Sequence, residues 1–520
     1  MKQKSSYLGL LAFLAIVSVG ILLQFTLVIN DDNYWLLQVT GKFLQGGRYY
    51  KDFIETNPPM ILYLYSLPVI ISHLFHWTIY TVFRLYIITL ALLSTAISYY
   101  LLKLSTSKMN LNFCLFIVCA MIAIFLFLLP NTFGQREQIT LILIMPYLLL
   151  TNNRLSNETV NFWIVLIVGI MAGIGFSIKP HFLIPLILIE FTMIIKQKNF
   201  FTWIRTETIT IALILIVYLV SIFIIAPEYI VKIVPFCLQY YYIAYPFFSA
   251  ITFRLSPWIF WLIISICFIL LRHKSHYKNF LDILFIACVG FIIVYFIQRQ
   301  YWAYHYLPAY ALMTLLSLTL LFELLVNTMT IKTLQDKTMA TNTLLIAAIL
   351  AALMLSPFAS SVPVSLAPFS LINQQADQFI KTHTQHKTIY LFSCEGSDLT
   401  FLTAYAHGIS VARPWNSGYL LLSIDVKIRH AKTRDEALKA EQEKQFLIDF
   451  FVKNINEEKP DLIIFQSNLH NNQSPLLQSL LTHKNFSALF RAYHPIGSIK
   501  HWPIINRQYQ LIVYQREKSS

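Results

Sequence analysis

The chain has 520 residues, 57% of them hydrophobic and only 12% charged, with mean hydropathy +0.60 and formal net charge +14. Water-soluble domains carry about a quarter charged residues, so this composition excludes an ordinary soluble enzyme and calls for membrane-crossing helices. The positive charge is scattered between apolar runs with no concentrated patch, which argues against a nucleic-acid partner and fits basic cytoplasmic loops.

Lys2 and Lys4 precede an apolar run that continues to Ile29 without a small-residue cleavage site. It reads as a retained anchor helix, not a signal peptide. Further spans are expected at about 78–102, 111–130, 138–150, 160–178, 181–195, 208–226, 257–271, 279–297, 306–326 and 341–357. The apolar stretch from Pro59 to His73 is shorter and reads as a helix at the membrane interface. Lys and Arg favour one set of connectors, from Lys2, Lys103 and Arg154 through Lys196, Arg272 and Lys278 to Lys337. That asymmetry predicts a cytoplasmic N-terminus, an odd number of crossings and an external C-terminal region.

Beyond about residue 358 the chain becomes more polar. Thr388–Phe392, Asp461–Gln466 and YQLIVYQ near the end read as buried strands, and Glu436–Asn454 as an amphipathic helix. A small α/β layer of parallel character is expected, acting as an outer cap. It contains neither G-x-G-x-x-G nor a Walker A sequence, so a nucleotide site is not indicated. The expected fold is a polytopic α-helical membrane protein with about eleven transmembrane helices (residues 1–360) and an extracytoplasmic α/β domain (361–520).

Chemistry-bearing residues concentrate in the connectors expected outside. The first of these, residues 30–77, opens with Asp31 and Asp32 and continues with Asp52 and Glu55. Carboxylates at a membrane surface are costly unless solvated or used. One can serve as general base toward an acceptor hydroxyl or amine, and a second can orient the acceptor or hold a divalent cation near a phosphate. The plainer alternative is that Asp31 and Asp32 cap a helix. A polar knot at Asn131–Gln138 places Arg136 and Glu137 between apolar spans, either for a phosphate or as a local ion pair. Lys179 and His181 interrupt a further apolar run. Gln298–Pro308 carries Arg299, Tyr301 and His305, with Tyr304 and Tyr306 reading as an interfacial aromatic belt. Residues 227–257 are aromatic and read as an interfacial amphipathic segment. Cys237 and Cys394 both fall in outward segments, where a disulfide is conceivable; His73, His76, His383 and His386 lack a third ligand for zinc.

The acid pair after the first helix, the Glu55-Thr56-Asn57-Pro58-Pro59 run and Gly46-Gly47-Arg48-Tyr49-Tyr50-Lys51-Asp52 resemble the first outer loop of the GT-C superfamily of integral membrane glycosyltransferases. The resemblance is to the branch holding protein O-mannosyltransferases and the bacterial aminoarabinose lipid A transferase. It covers roughly residues 1–360. GQRE, KPH and Q-x-x-x-W-x-Y-H-x-x-P resemble recurrent outer-loop motifs of bacterial relatives. The resemblance implies sugar transfer from a polyprenyl-phosphate donor to a glycolipid, polysaccharide or protein acceptor, at the outer face of the plasma (inner) membrane. It also implies Asp31 as base or its near equivalent, Asp32 and Glu55 as supporting acids, and Arg136, Lys179, Arg299 and His305 as donor-phosphate ligands. Asp52, Glu137, His181 and Tyr301 are further loop candidates. The family pattern is Asp-Glu where this chain has Asp31-Asp32, so which of the two is the base stays open. A flippase or transporter of lipid-linked sugars, or a non-catalytic assembly factor, is the alternative; absence of a clear repeat and acids at span ends favour the enzyme.

Overall fold

The computed structural model describes residues 2–27, 29–105, 111–241, 256–298, 302–330, 336–355, 382–383, 388–392, 410–411, 417–468, 474–501 and 509–517. The chain forms two compact units, one of Met1–Val28, Ile70–Ser221 and Tyr245–Ser365, the other of Ile29–Val69, Ile222–Ala244 and Leu366–Ser520. A helix stands at each of the eleven expected spans. In chain order these are α1 (Lys2–Thr26), α4 (Ile79–Leu104), α5 (Leu111–Phe127), α6 (Arg136–Leu155), α7 (Phe162–Ser177), α8 (Leu183–Gln197), α9 (Thr206–Ile225), α10 (Ser256–Leu271), α11 (Lys278–Gln298), α12 (Leu307–Thr330) and α13 (Asp336–Leu355). Among the described residues, seven segments are long and apolar enough to cross a membrane; they overlap α1, α4, α8, α9, α10, α11 and α12.

In the first unit α6 is the central helix, buried continuously from Arg136 to Asn153. Because it does not face lipid, it can carry polar residues along its length, whereas α9 exposes Leu213, Ile216, Val217 and Phe223. Those polar groups stitch it to its neighbours. Gln138 donates to the Phe125 carbonyl on α5 (2.6 Å), Ser94 on α4 donates to Ile142 (2.5 Å), and Asn153 donates to Leu101 (3.0 Å). The approach of α8 to α11 depends on a small residue: a Cβ on Gly290 would stand 2.6 Å from the Cα of Pro185.

The second unit begins with two helices, α2 (Asp31–Leu44) and α3 (Met60–Phe75, whose last turns belong to the first unit). The stretch after Asn30 is therefore a helix, and Asp31 and Asp32 open it instead of ending α1 in a loop. Asn30 caps it by accepting from Asp32 N (3.0 Å), and the two aspartates occupy the first turn, where the helix dipole favours negative charge. Gly46 ends it at φ +85, a backbone region glycine enters without strain. Helix α3 matches the expected interfacial stretch and is 16 residues long.

The C-terminal part holds a five-stranded sheet in the order β2 (Ser410–Val411), β1 (Thr388–Phe392), β3 (Leu462–Asn468), β5 (Tyr509–Arg516), β4 (Tyr493–His501). The sheet is mixed, which corrects the expected parallel character. β1 pairs parallel with β2 and β3, while β3–β5 and β5–β4 are antiparallel. β5 follows β4 as a returning strand, so no helical crossover enforces parallel pairing there. Helices α14 (Ser417–Arg429), α15 (Arg434–Glu458), α16 (Pro475–Leu481) and α17 (Lys484–Phe490) complete it. Phe392, Phe451, Phe465, Phe486 and Phe490 form its aromatic core, with Phe392 stacked on Phe465 at 4.7 Å. The segment around Tyr50 and residues 229–241 are built onto α15 within this same unit: Tyr50 and Phe236 meet Phe450, Tyr240 stacks on Phe446 and Gln239 donates to Glu443.

Candidate functional site

In the first unit, Lys179 stands between α7 and α8. The following Pro180 disfavours helical backbone at Lys179, which is extended at φ −139 and ψ 139. Its ammonium donates to Glu137 Oε1 (2.5 Å) and Gln298 Oε1 (3.2 Å). Glu137 lies in the first turn of α6 and is fully buried. His305, in the short turn Ala303–Tyr306, places Nε2 3.9 Å from Glu137 Oε1. His181 feels the charges of Lys179, His305 and Glu137. Arg136 lies over the Tyr304 ring (5.5 Å to the centroid) and donates to Gln135 Oε1 (3.0 Å). Tyr304 in turn meets the His305 ring at 4.5 Å.

The packing thus brings Arg136, Glu137, Lys179, His181 and His305 into one cluster, and gives Glu137 a partner 42 residues away instead of its neighbour Arg136. It corrects the reading of Tyr304 and Tyr306 as a belt: Tyr306 is buried against Tyr295 and Tyr310, and Tyr304 carries Arg136. Within the cluster Glu137 Oε2, Gln298 Nε2 and His181 Nε2 are buried without a hydrogen-bond partner among the described residues. Each such group costs about 1–3 kcal/mol, so the cluster is arranged to accept and donate further bonds. Arg299 and Tyr301 lie outside the described residues.

In the second unit, Glu55 is a buried acid among the sequence candidates. Its carboxylate accepts from Trp35 Nε1 (2.6 Å), Asn57 N (2.6 Å) and Asn57 Nδ2 (2.5 Å), which ties α2 to the turn before α3. Asn33 accepts from Tyr65 Oη (2.8 Å) alongside it. Asp52 closes its own turn, accepting from Arg48 N (2.8 Å), and Arg48 pairs with Glu228 at 3.5 Å. Gly47 is required in that turn, since a Cβ there would stand 2.7 Å from the Lys42 carbonyl oxygen. Asp32 is half-buried in the first turn of α2, preceded by Asp31. Trp35 and Asn33 hold groups of this unit and are not marked by spacing, whereas Gln298, which holds Lys179, opens the Gln298–Pro308 motif.

Cys237 lies near enough to Glu55 for that charge to act on it. Burial first, and the Glu55 charge second, push its thiol up to about 12. Its proposed partner Cys394 lies outside the described residues, as does His386. Among the described residues no group of three or more His, Cys, Asp or Glu side chains is placed to hold a metal ion.

The apolar helical bundle with a C-terminal mixed sheet defines the fold of a multi-pass membrane protein, and solved structures share it over nearly the whole chain. ArnT from Cupriavidus metallidurans in the apo state matches with a TM-score of 0.58 and 11% identity, over 96% of this chain and 97% of that one. ArnT from the same organism bound to undecaprenyl phosphate matches with a TM-score of 0.53 and 10% identity, over the same shares. The likeness shows that the chain shares the fold of ArnT. No family model and no curated protein matches the chain.

Proposed function

We propose that the chain is a GT-C glycosyltransferase that moves a sugar from a polyprenyl-phosphate donor to a glycolipid, polysaccharide or protein acceptor. The observation that carries this reading is the buried Glu137–Lys179–Gln298–His305 cluster with its unpartnered polar atoms, set in a fold shared with a protein that holds undecaprenyl phosphate. The N-terminus is cytoplasmic and the C-terminal region external, so that transfer occurs at the outer face.

The roles divide by chemistry. Asp31 and Asp32 open α2, where backbone N–H groups favour a carboxylate, and one of them takes the acceptor proton. Glu55 has its oxygens committed to an indole and two amides, so it braces that helix and does not move a proton. Lys179, Arg136, Arg299 and His305 serve the donor phosphate, whose charge rises as the sugar leaves. Lys179 meets that charge with Glu137 already beside it, and the pair sets how much positive charge the phosphate finds.

Membranes carrying Asp31→Asn or Asp32→Asn are tested for transfer from a polyprenyl-phosphate sugar. Loss of a general base lowers the rate by about 100-fold or more with folding intact. If both variants transfer at the wild-type rate, neither aspartate is the base. Mass spectrometry of envelope glycans and lipids from cells with and without the gene identifies the acceptor.

A further inference from the structure

A second polar centre occupies the other end of the helices that hold Glu137, Lys179 and Gln298. α6 runs from Glu137 to Leu155, α8 begins just after His181 and ends at Gln197, and α11 returns from Lys278 to Gln298. At 1.5 Å per residue the 20 residues of α6 separate its ends by about 30 Å. There Lys196, Arg272, Lys278 and Asp282 line an open pocket of about 680 Å³, with the amides of Asn157 and Asn279 beside them.

The pocket has more cations than acids. Asp282 is 4% exposed and serves two of them: Arg272 donates through Nε and Nη2 (3.0 Å), and Lys196 donates to Oδ2. Lys196 also donates to Asn279 Oδ1 (3.3 Å). Lys278 is exposed and has no carboxylate within ion-pair distance among the described residues. The neighbouring network is balanced by contrast. Arg154 and Arg205 share Glu207 and Glu190, two cations on two acids. An excess of two positive charges is therefore particular to the pocket. Two of its cations are half-buried and fixed in direction by Asp282, which leaves a preset binding surface instead of three freely solvated side chains.

We propose that this pocket binds a phosphate-bearing anion on Lys196, Arg272 and Lys278. The N–H groups of Arg272 that Asp282 does not take and two ammonium groups match the charge and the several acceptor oxygens of a phosphate. Asn157 and Asn279 border the same space and add amide donors. Lys196, Arg272 and Lys278 sit at the ends of three helices long and apolar enough to cross a membrane, the depth at which lipid headgroups stand. The anion is the headgroup of an anionic phospholipid or a free phosphate ester.

The purified, delipidated full chain is mixed with phosphatidylglycerol or phosphatidylcholine and examined by native mass spectrometry, then titrated with inorganic phosphate and glycerol phosphate. At about 1 kcal/mol per basic residue, each cation is worth about fivefold in binding. Phosphatidylglycerol is retained in several-fold excess over phosphatidylcholine, and Lys278→Gln cuts that excess about fivefold at unchanged melting temperature. An Arg272→Gln/Asp282→Asn double variant, which removes one charge of each sign, lowers it further. Displacement of the lipid by millimolar glycerol phosphate identifies the free ester as a competing source; no displacement identifies the headgroup. Equal retention of the two lipids with no response to either phosphate overturns the proposal, as does an unaltered preference in Lys278→Gln.

Discussion

Two buried carboxylates, one in each unit, are treated differently by their surroundings. Glu55 is 1% exposed and meets neutral donors at short distance, an indole N–H and the two N–H groups of one asparagine. Glu137 is 0% exposed and meets an ammonium through one oxygen, while its other oxygen has no hydrogen-bond partner among the described residues. The first arrangement fixes a backbone: Glu55 ties Trp35 of α2 to Asn57. The second leaves bonding capacity in a low-dielectric place, where it is costly to leave unused. Burial alone therefore does not separate a brace from a site; the count of satisfied oxygens does.

The contrast breaks most sharply at Lys179. Lys179→Met leaves Glu137 as an uncompensated buried charge, which costs about 3–5 kcal/mol, and the thermal midpoint falls accordingly. Glu137→Gln/Lys179→Met removes both charges and recovers most of that loss while transfer stays low. If Lys179→Met melts like the wild type, the pair does not hold the cluster.

A smaller effect is expected at the brace. Glu55→Gln keeps one acceptor but turns the other oxygen into a donor facing Trp35 Nε1 or the Asn57 amides, a mismatch of about 1–3 kcal/mol. The melting curve shifts down, and at temperatures well below the midpoint the transfer rate falls far less than in Asp31→Asn or Asp32→Asn. A loss as deep as theirs would make Glu55 a participant in proton transfer and not a brace.

The smallest effect is read at Cys237. With its thiol pushed up to about 12, only roughly one molecule in ten thousand carries a thiolate at pH 8. Maleimide labelling at that pH is slow and gains about tenfold per pH unit until the protein unfolds. Because the second cause is the Glu55 charge, Glu55→Gln lowers the thiol pKa and speeds labelling at fixed pH. Fast labelling of the wild type at pH 8 would contradict the burial of the thiol, and an unchanged rate in Glu55→Gln would remove the carboxylate from its surroundings.

Much of the site was legible as composition. Lys179 before Pro180 in an apolar run, and Arg136-Glu137 between two spans, are conspicuous because charge is expensive there. The strands Thr388–Phe392 and Tyr509–Arg516 were likewise visible as β-branched and aromatic runs. The helix at Asp31–Leu44 is foreshadowed only by the alternative that Asp31 and Asp32 cap a helix; the cap itself is Asn30, and the two acids follow it in the first turn. β4 escaped because Pro495 and Gly497 interrupt it, and the structure absorbs them as an irregularity in its pairing with β5.

The sequence by itself determined where apolar helices form, because about twenty adjacent apolar residues decide that locally, and each expected span carries a helix. It also marked the acids between Asp31 and Glu55 and the Lys-Pro-His interruption as places that ask for a reason. Only the tertiary structure decided which charges meet. Glu137 finds Lys179 and Gln298 instead of Arg136 because α6, α8 and α11 pack closely, down to Gly290 against Pro185. Such pairing depends on distances of a few ångströms between helices far apart in the chain, and no run of neighbouring residues encodes those distances.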